Sequence, residues 1–188
     1  MKRGTLAVLL LCVLVSVSAA QTDIGLKGIG GRLGFIMPES GIDNTIGLGA
    51  NADLGSISMF KVYAYLDYWS NSDERNEFGY NYEWRWSVIS LAAIGKYFFE
   101  IEGDFEPYAG AGLGFDISSW KSEYTGPATG FGFEDDWESS DSEFDLALHI
   151  LGGATYAFTP TLDGFAELKY TTGGIDYFGI YVGVMYKL

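Results

Sequence analysis

Apolar residues alternate with small or polar ones along most of this chain, and the period-two segments recur about every twenty residues from Ile29 to the last residue. Eight candidate strands follow. The first, Lys27 to Met37, sets Ile29, Leu33, Phe35 and Met37 against Gly28, Gly30, Arg32 and Gly34, and Pro38 stops it. Thr45 to Leu54 sets Ile46, Leu48, Ala50, Ala52 and Leu54 against Gly47, Gly49, Asn51 and Asp53; Ser58 to Trp69 sets Phe60, Val62, Ala64, Leu66 and Tyr68 against Lys61, Tyr63, Tyr65, Asp67 and Trp69. The fourth, Trp84 to Phe98, carries apolar residues on both parities (Val88, Ile89, Leu91, Ile94). This leaves its facing open, with a bulge as one way to reconcile them. Pro107 to Ser118, Glu143 to Phe158 and Gly164 to Thr171 resume the alternation, and an eighth strand carries it from Phe178 to Leu188.

The connections alternate in length. Met37 to Asn44, Ser70 to Glu83, Ser119 to Ser142 and Thr172 to Asp176 are mostly longer; Gly55 to Ile57, Phe99 to Glu106 and Thr159 to Asp163 are shorter. Short turns at one end and long loops at the other are the asymmetry of a barrel in an outer membrane, with both chain ends on the periplasmic side. A lysine or arginine facing lipid at mid-bilayer costs roughly 2 to 4 kcal/mol, so the charged parity must face inward. This predicts an interior polar cluster of Arg32, Lys61, Asp67, Asp145, His149, Glu167 and Lys169, with glycines on the same parity giving those side chains room. Tyr68, Trp84, Tyr97, Tyr156, Tyr170 and Tyr186, near strand ends, suit two interfacial belts.

Composition sharpens this reading. Lys2 and Arg3 precede an apolar run, Leu6 to Val17, too short to span a bilayer, and Ser18 and Ala20 stand where a signal peptidase reads. The expected division is a signal peptide over 1–20 and a barrel domain over 21–188, exported to the bacterial outer membrane. The sole cysteine, Cys12, follows Leu11 where a lipobox needs a small residue. A lipid anchor is therefore not expected, and a mature part without cysteine would rely on neither disulfides nor thiolate chemistry. The 188 residues carry a formal charge of −14, which becomes −16 once Lys2 and Arg3 are removed, and this argues against nucleic acid as a partner. The 26 glycines are about twice the usual frequency and fit strands with one small-residue face.

Candidate chemistry is sparse. Gly47, Gly49 and Ala52 satisfy a permissive dinucleotide fingerprint, but the strand before and helix after that the motif needs are missing. His149 is the only histidine, and Asp145 on its own strand face is about 13 Å away. The pair reads as interior wall, and neither a catalytic device nor a cofactor is expected. The segment Phe131, Phe133, Glu134, Asp135, Asp136, Trp137 and Glu138 crowds carboxylates among aromatics in the longest loop. A solvated acidic loop is one reading, weak binding of divalent cations another, and recognition of a basic partner a third.

The segments "GIGGRLGFIMP" (Gly28 to Pro38), "AAIGKYFFE" with "FEPYAGAGLGF" (Ala92 to Phe115), "AELKY" (Ala166 to Tyr170) and the closing "GIYVGVMYKL" resemble the small outer-membrane barrels of the OmpA, OmpX and OmpW type. Such barrels commonly end in phenylalanine, where this chain has Leu188. The resemblance implies an all-β fold, an eight-stranded antiparallel up-and-down transmembrane β-barrel preceded by a signal peptide. It would be embedded in outer-membrane lipid, with a structural or surface-interaction role carried by external loops. The alternatives are a narrow channel or small-solute transport barrel, and a soluble secreted or periplasmic β-barrel binding a small ligand.

Overall fold

The structure is a computed structural model that describes residues 22–39, 41–77, 80–125 and 137–188. The expected signal peptide lies outside the described residues, as do Phe131, Phe133, Glu134, Asp135 and Asp136 and the side chains of Trp137 and Glu138. Eight strands, β1 (Thr22–Pro38), β2 (Thr45–Ile57), β3 (Phe60–Glu77), β4 (Tyr80–Phe98), β5 (Phe105–Thr125), β6 (Trp137–Thr159), β7 (Leu162–Thr172) and β8 (Tyr177–Lys187), close into one barrel. Each strand pairs antiparallel with its sequence neighbour, and β8 pairs with β1, so no edge is left within the wall.

Following the ladder from Arg32 one way round, through Gly49, Asp67, Ser90 and Asp116, arrives at Asp145 on β6; the other way, through Gly183 and Phe165, arrives at Thr155. This ten-residue stagger tilts the strands by roughly 40° and leaves an interior that side chains fill. The outer surface is a continuous apolar band, with Leu33, Leu48, Leu66, Leu91, Leu113, Leu146, Leu168 and Val182 all exposed. A soluble barrel buries such residues, so the inside-out alternative fails on this band.

The fourth strand, ambiguous in sequence, is regular. Val88, Ser90, Ala92, Ile94 and Lys96 point inward, Ile89, Leu91 and Tyr97 outward, and neither ladder of β4 shifts register. The facing left open is thereby settled, and the bulge that was one way to reconcile the two parities is not formed. Both parities are apolar because the lumen itself contains two apolar clusters. Tyr63, Tyr65, Ala92, Ile94, Tyr108, Leu151 and Met185 form one, and Ile36, Trp69, Val88, Tyr177 and Tyr181 the other. The register shifts fall elsewhere, at Ile24/Gly28, Asp53/Ser56 and Ala157/Thr159, all near the short-turn end.

Two long loops are also corrected. β3 and β4 continue to Glu77 and from Tyr80, and β5 and β6 to Thr125 and from Trp137. Most of what looked like loop is thus a four-stranded extension above the membrane band, and Trp137 and Glu138 belong to β6. Trp84, expected in a belt, lies on the inward parity of this extension. At the short-turn end, ring contacts at 5.0 to 6.1 Å link Phe60, Tyr97 and Phe99, and likewise Phe105, Tyr156 and Phe158, into an interfacial girdle. Tyr68, Phe115 and Phe144 stand exposed toward the other end of the band.

Gly55 has φ +94°, and a Cβ there would sit 1.9 Å from the Asp23 carbonyl oxygen, a backbone atom that cannot step aside. Gly31 on the lipid face has open space around it. Gly55→Ala is expected to lower stability by about 1–3 kcal/mol, and Gly31→Ala to change it by less than about 0.5 kcal/mol. Urea titration of the barrel in vesicles, read as the heat-sensitive gel shift, checks both. Equal effects would refute the steric account.

Candidate functional site

Five charged side chains meet across the barrel between the two apolar clusters. Alternation puts them inward and the stagger brings them to one level. Arg32 of β1 donates from Nε to Asp67 Oδ1 of β3 at 2.8 Å and from Nη2 to Asp67 Oδ2, forming a fork, while its Nη1 donates to Glu167 Oε1 of β7 at 2.6 Å. Glu167 Oε2 also accepts from Lys96 Nζ of β4 at 2.8 Å and from the hydroxyls of Tyr65 and Tyr108, each at 3.0 Å. Lys169 Nζ donates to Asp67 Oδ2 at 2.6 Å. The five residues are 0 to 3% exposed.

Aromatic faces hold the cations in place. The Arg32 guanidinium lies between the rings of Tyr65 and Tyr181, at 4.1 and 4.2 Å from their centroids, and Lys96 Nζ is 3.8 Å from that of Tyr108. Every charge is thus paired and most are also stacked, the condition under which burial of ions is tolerable. Chemically the arrangement is closed: Glu167 accepts four hydrogen bonds and Asp67 three, so every carboxylate oxygen has a donor, and the lumen is crossed by side chains.

Glycine makes the room. A Cβ on Gly49 would lie 2.2 Å from Asp67 Oδ1 and 3.0 Å from Arg32 Cγ. Gly49→Ala is therefore expected to push the carboxylate off its fork and destabilise the barrel by about 1–3 kcal/mol, measured by the same urea titration. A loss below about 0.5 kcal/mol would mean that the cluster relaxes freely around the methyl group.

Of the seven interior residues expected from sequence, Arg32, Asp67, Glu167 and Lys169 join this cluster. Lys61 does not: it lies exposed at the short-turn mouth, its Nζ 4.5 Å from the Phe98 ring centroid. Asp145 faces inward at the opposite mouth, directly across from Asp116. His149 is wholly buried, with Nδ1 3.0 Å from the Thr171 hydroxyl. Lys96, Tyr65, Tyr108 and Tyr181 were missed as site residues. The signal for Lys96 was the lipid-facing cost of a mid-strand lysine, applied everywhere except on the strand whose facing was open.

Among the described residues no three His, Cys, Asp or Glu side chains gather as a metal centre. Beyond the membrane band, the β7–β8 loop is tied down by Asp176, which accepts from the Gly173 amide at 3.1 Å and the Tyr170 hydroxyl at 3.3 Å. The Gly173 amide bond holds the Asp176 carboxyl below its usual range. Its stabilising effect is present above the ordinary carboxylate value and is lost as the pH falls through the depressed one.

Comparison with known proteins agrees with this architecture. No curated protein sequence is detectably similar to the chain. Among solved structures, Neisserial surface protein A is 18% identical, with a TM-score of 0.62 over 88% of this chain and 99% of that one. A major outer membrane protein from Thermus thermophilus is 11% identical, with a TM-score of 0.54 over 87% and 100%. The N-terminal β-barrel domain of Pseudomonas aeruginosa OprF is 18% identical, with a TM-score of 0.47 over 89% and 100%. Residues 5–187 match the family described as "Outer membrane protein beta-barrel domain". The closed eight-stranded wall, its lipid-facing band and this match make the chain a member of the outer membrane protein beta-barrel domain family, located in the bacterial outer membrane.

Proposed function

We propose that the protein is a non-enzymatic, non-conducting barrel that anchors the β3–β6 extension at the cell surface for contact with cationic partners. The carrying observation is the charge cluster, in which five side chains at 0 to 3% exposure bridge β1, β3, β4 and β7 across the lumen. A narrow channel or solute-transport barrel needs a continuous polar path. Here the charged groups at mid-height are hydrogen-bonded to one another, with apolar clusters on either side. The acidic segment from Phe131 to Glu138, outside the described residues apart from the backbone of Trp137 and Glu138, is part of the same proposal: its carboxylates favour a basic partner or divalent cations by charge.

Planar-bilayer recording of the refolded chain tests the proposal. The expected result is a folded, heat-modifiable protein that gives no discrete conductance steps at moderate voltage. Reproducible steps from the folded band would overturn the closed-lumen reading in favour of the channel.

A further inference from the structure

Above the membrane band, the inner face of the extension repeats a rung pattern that the barrel does not need. Trp86, Trp120 and Asp141 stand directly opposite one another on β4, β5 and β6, and the next rung down is Val88, Ser118 and Glu143. One rung lower, Asp116 is 1% exposed, with neither carboxylate oxygen in a well-formed hydrogen bond, and faces Asp145. The two indole rings are 6.2 Å apart at 48°, an open angle rather than a stack. Trp86, Ser118, Trp120, Asp141, Glu143 and the facing Ile175 of the β7–β8 loop enclose a cavity of about 260 Å³ open to the outside.

We propose that this cavity binds a compact organic cation, an alkylammonium group held against the angled Trp86 and Trp120 rings, on their cavity side, and beside the Asp141 and Glu143 carboxylates. Tryptophan presents the strongest ring quadrupole to a cation, and angled aromatic walls with carboxylates are how quaternary ammonium groups are recognised. The charge pattern is selective. Arg85 and Lys121, the basic residues of these rungs, occupy the opposite parity, so the cavity side of the sheet is acidic. An inorganic ion would leave the indole faces unused, and an anion would meet two carboxylates with two more beneath. The volume suits a trimethylammonium group or the end of a lysine side chain, not a folded domain. The inference rests on reading the extension as the interacting part of the protein, but it does not depend on whether the lumen conducts.

The test is isothermal titration of the full chain, folded in a polyoxyethylene detergent that carries neither sugar nor choline, with choline and with n-butylamine as separate arms. Saturable binding of either at sub-millimolar to millimolar concentration is expected. The neutral isostere 3,3-dimethylbutanol should bind at least about tenfold more weakly, and so should potassium ion. Stronger choline binding points to a free or lipid-borne quaternary head, stronger butylamine binding to a lysine side chain. Trp120→Ala, and separately the pair Asp141→Asn with Glu143→Gln, should each weaken binding about tenfold while keeping the heat-modifiable band that shows the barrel is folded. Equal binding of the neutral isostere, binding of glucose in place of the cations, or unchanged affinity in both folded variants would each overturn the assignment. Absence of cation binding while the lumen stays non-conducting would remove this pocket and leave the closed-barrel reading standing.

Discussion

Glu167→Ala is expected to destabilise the folded barrel by about 3–5 kcal/mol, the loss typical when one partner of a buried ion pair is removed. Glu167 alone joins four donors: Arg32, Lys96, Tyr65 and Tyr108. Without it, three cations remain around Asp67 as the only carboxylate of the cluster, and Lys96 loses its anion while still enclosed by rings. Glu167→Gln keeps an acceptor oxygen for one donor but removes the charge, so its cost should be smaller, about 1–3 kcal/mol. Equilibrium urea titration in lipid vesicles, read by the gel shift of unboiled samples, separates the two. If both variants unfold within about 1 kcal/mol of the parent, water reaches the lumen freely and the cluster is not the closed element described above.

A second large effect is expected on the outside of the wall. Leu113 is 58% exposed on the lipid-facing parity of β5, opposite Leu148 and Ala93 and about midway between the girdle at Phe105 and the aromatic residues near the other rim. Leu113→Arg should cost roughly 2 to 4 kcal/mol and slow insertion into vesicles, because the guanidinium must sit in hydrocarbon or pull water to it. Ser140→Arg lies on the exposed part of β6 in the extension, above the band, and should change stability by less than about 0.5 kcal/mol. Should the two arginines cost the same, the band is misplaced along the strands.

The facing of seven strands was legible without a structure, because a side-chain period of two combined with the cost of charge in lipid leaves one orientation per strand. That argument put Arg32, Asp67, Glu167 and Lys169 inside. It could not orient β4, whose inner positions Val88 and Ile94 are as apolar as its outer ones, and so it passed over Lys96.

Strand ends were misjudged for a related reason. Hydropathy marks where lipid ends, at residues such as Trp69 and Ser118, whereas the hydrogen-bond ladder of β3 to β6 continues into water on stretches such as Ser70 to Glu77, where every residue is polar and no apolar alternation remains to mark a strand. The pattern records the solvent, not the sheet.

What the sequence determined by itself is the barrel, its lipid-facing side and the sign of what lies within, all consequences of period-two patterning against a hydrocarbon solvent. Which charges meet was decided only by tertiary structure. Arg32 and Glu167 are 135 positions apart, and their 2.6 Å contact depends on ring closure and the ten-residue stagger, neither of which leaves a local trace in the chain. The same holds for the external cavity: Trp86 and Trp120 face each other because β4 and β5 keep register beyond the membrane, a property of the ladder and not of either tryptophan's neighbours in sequence.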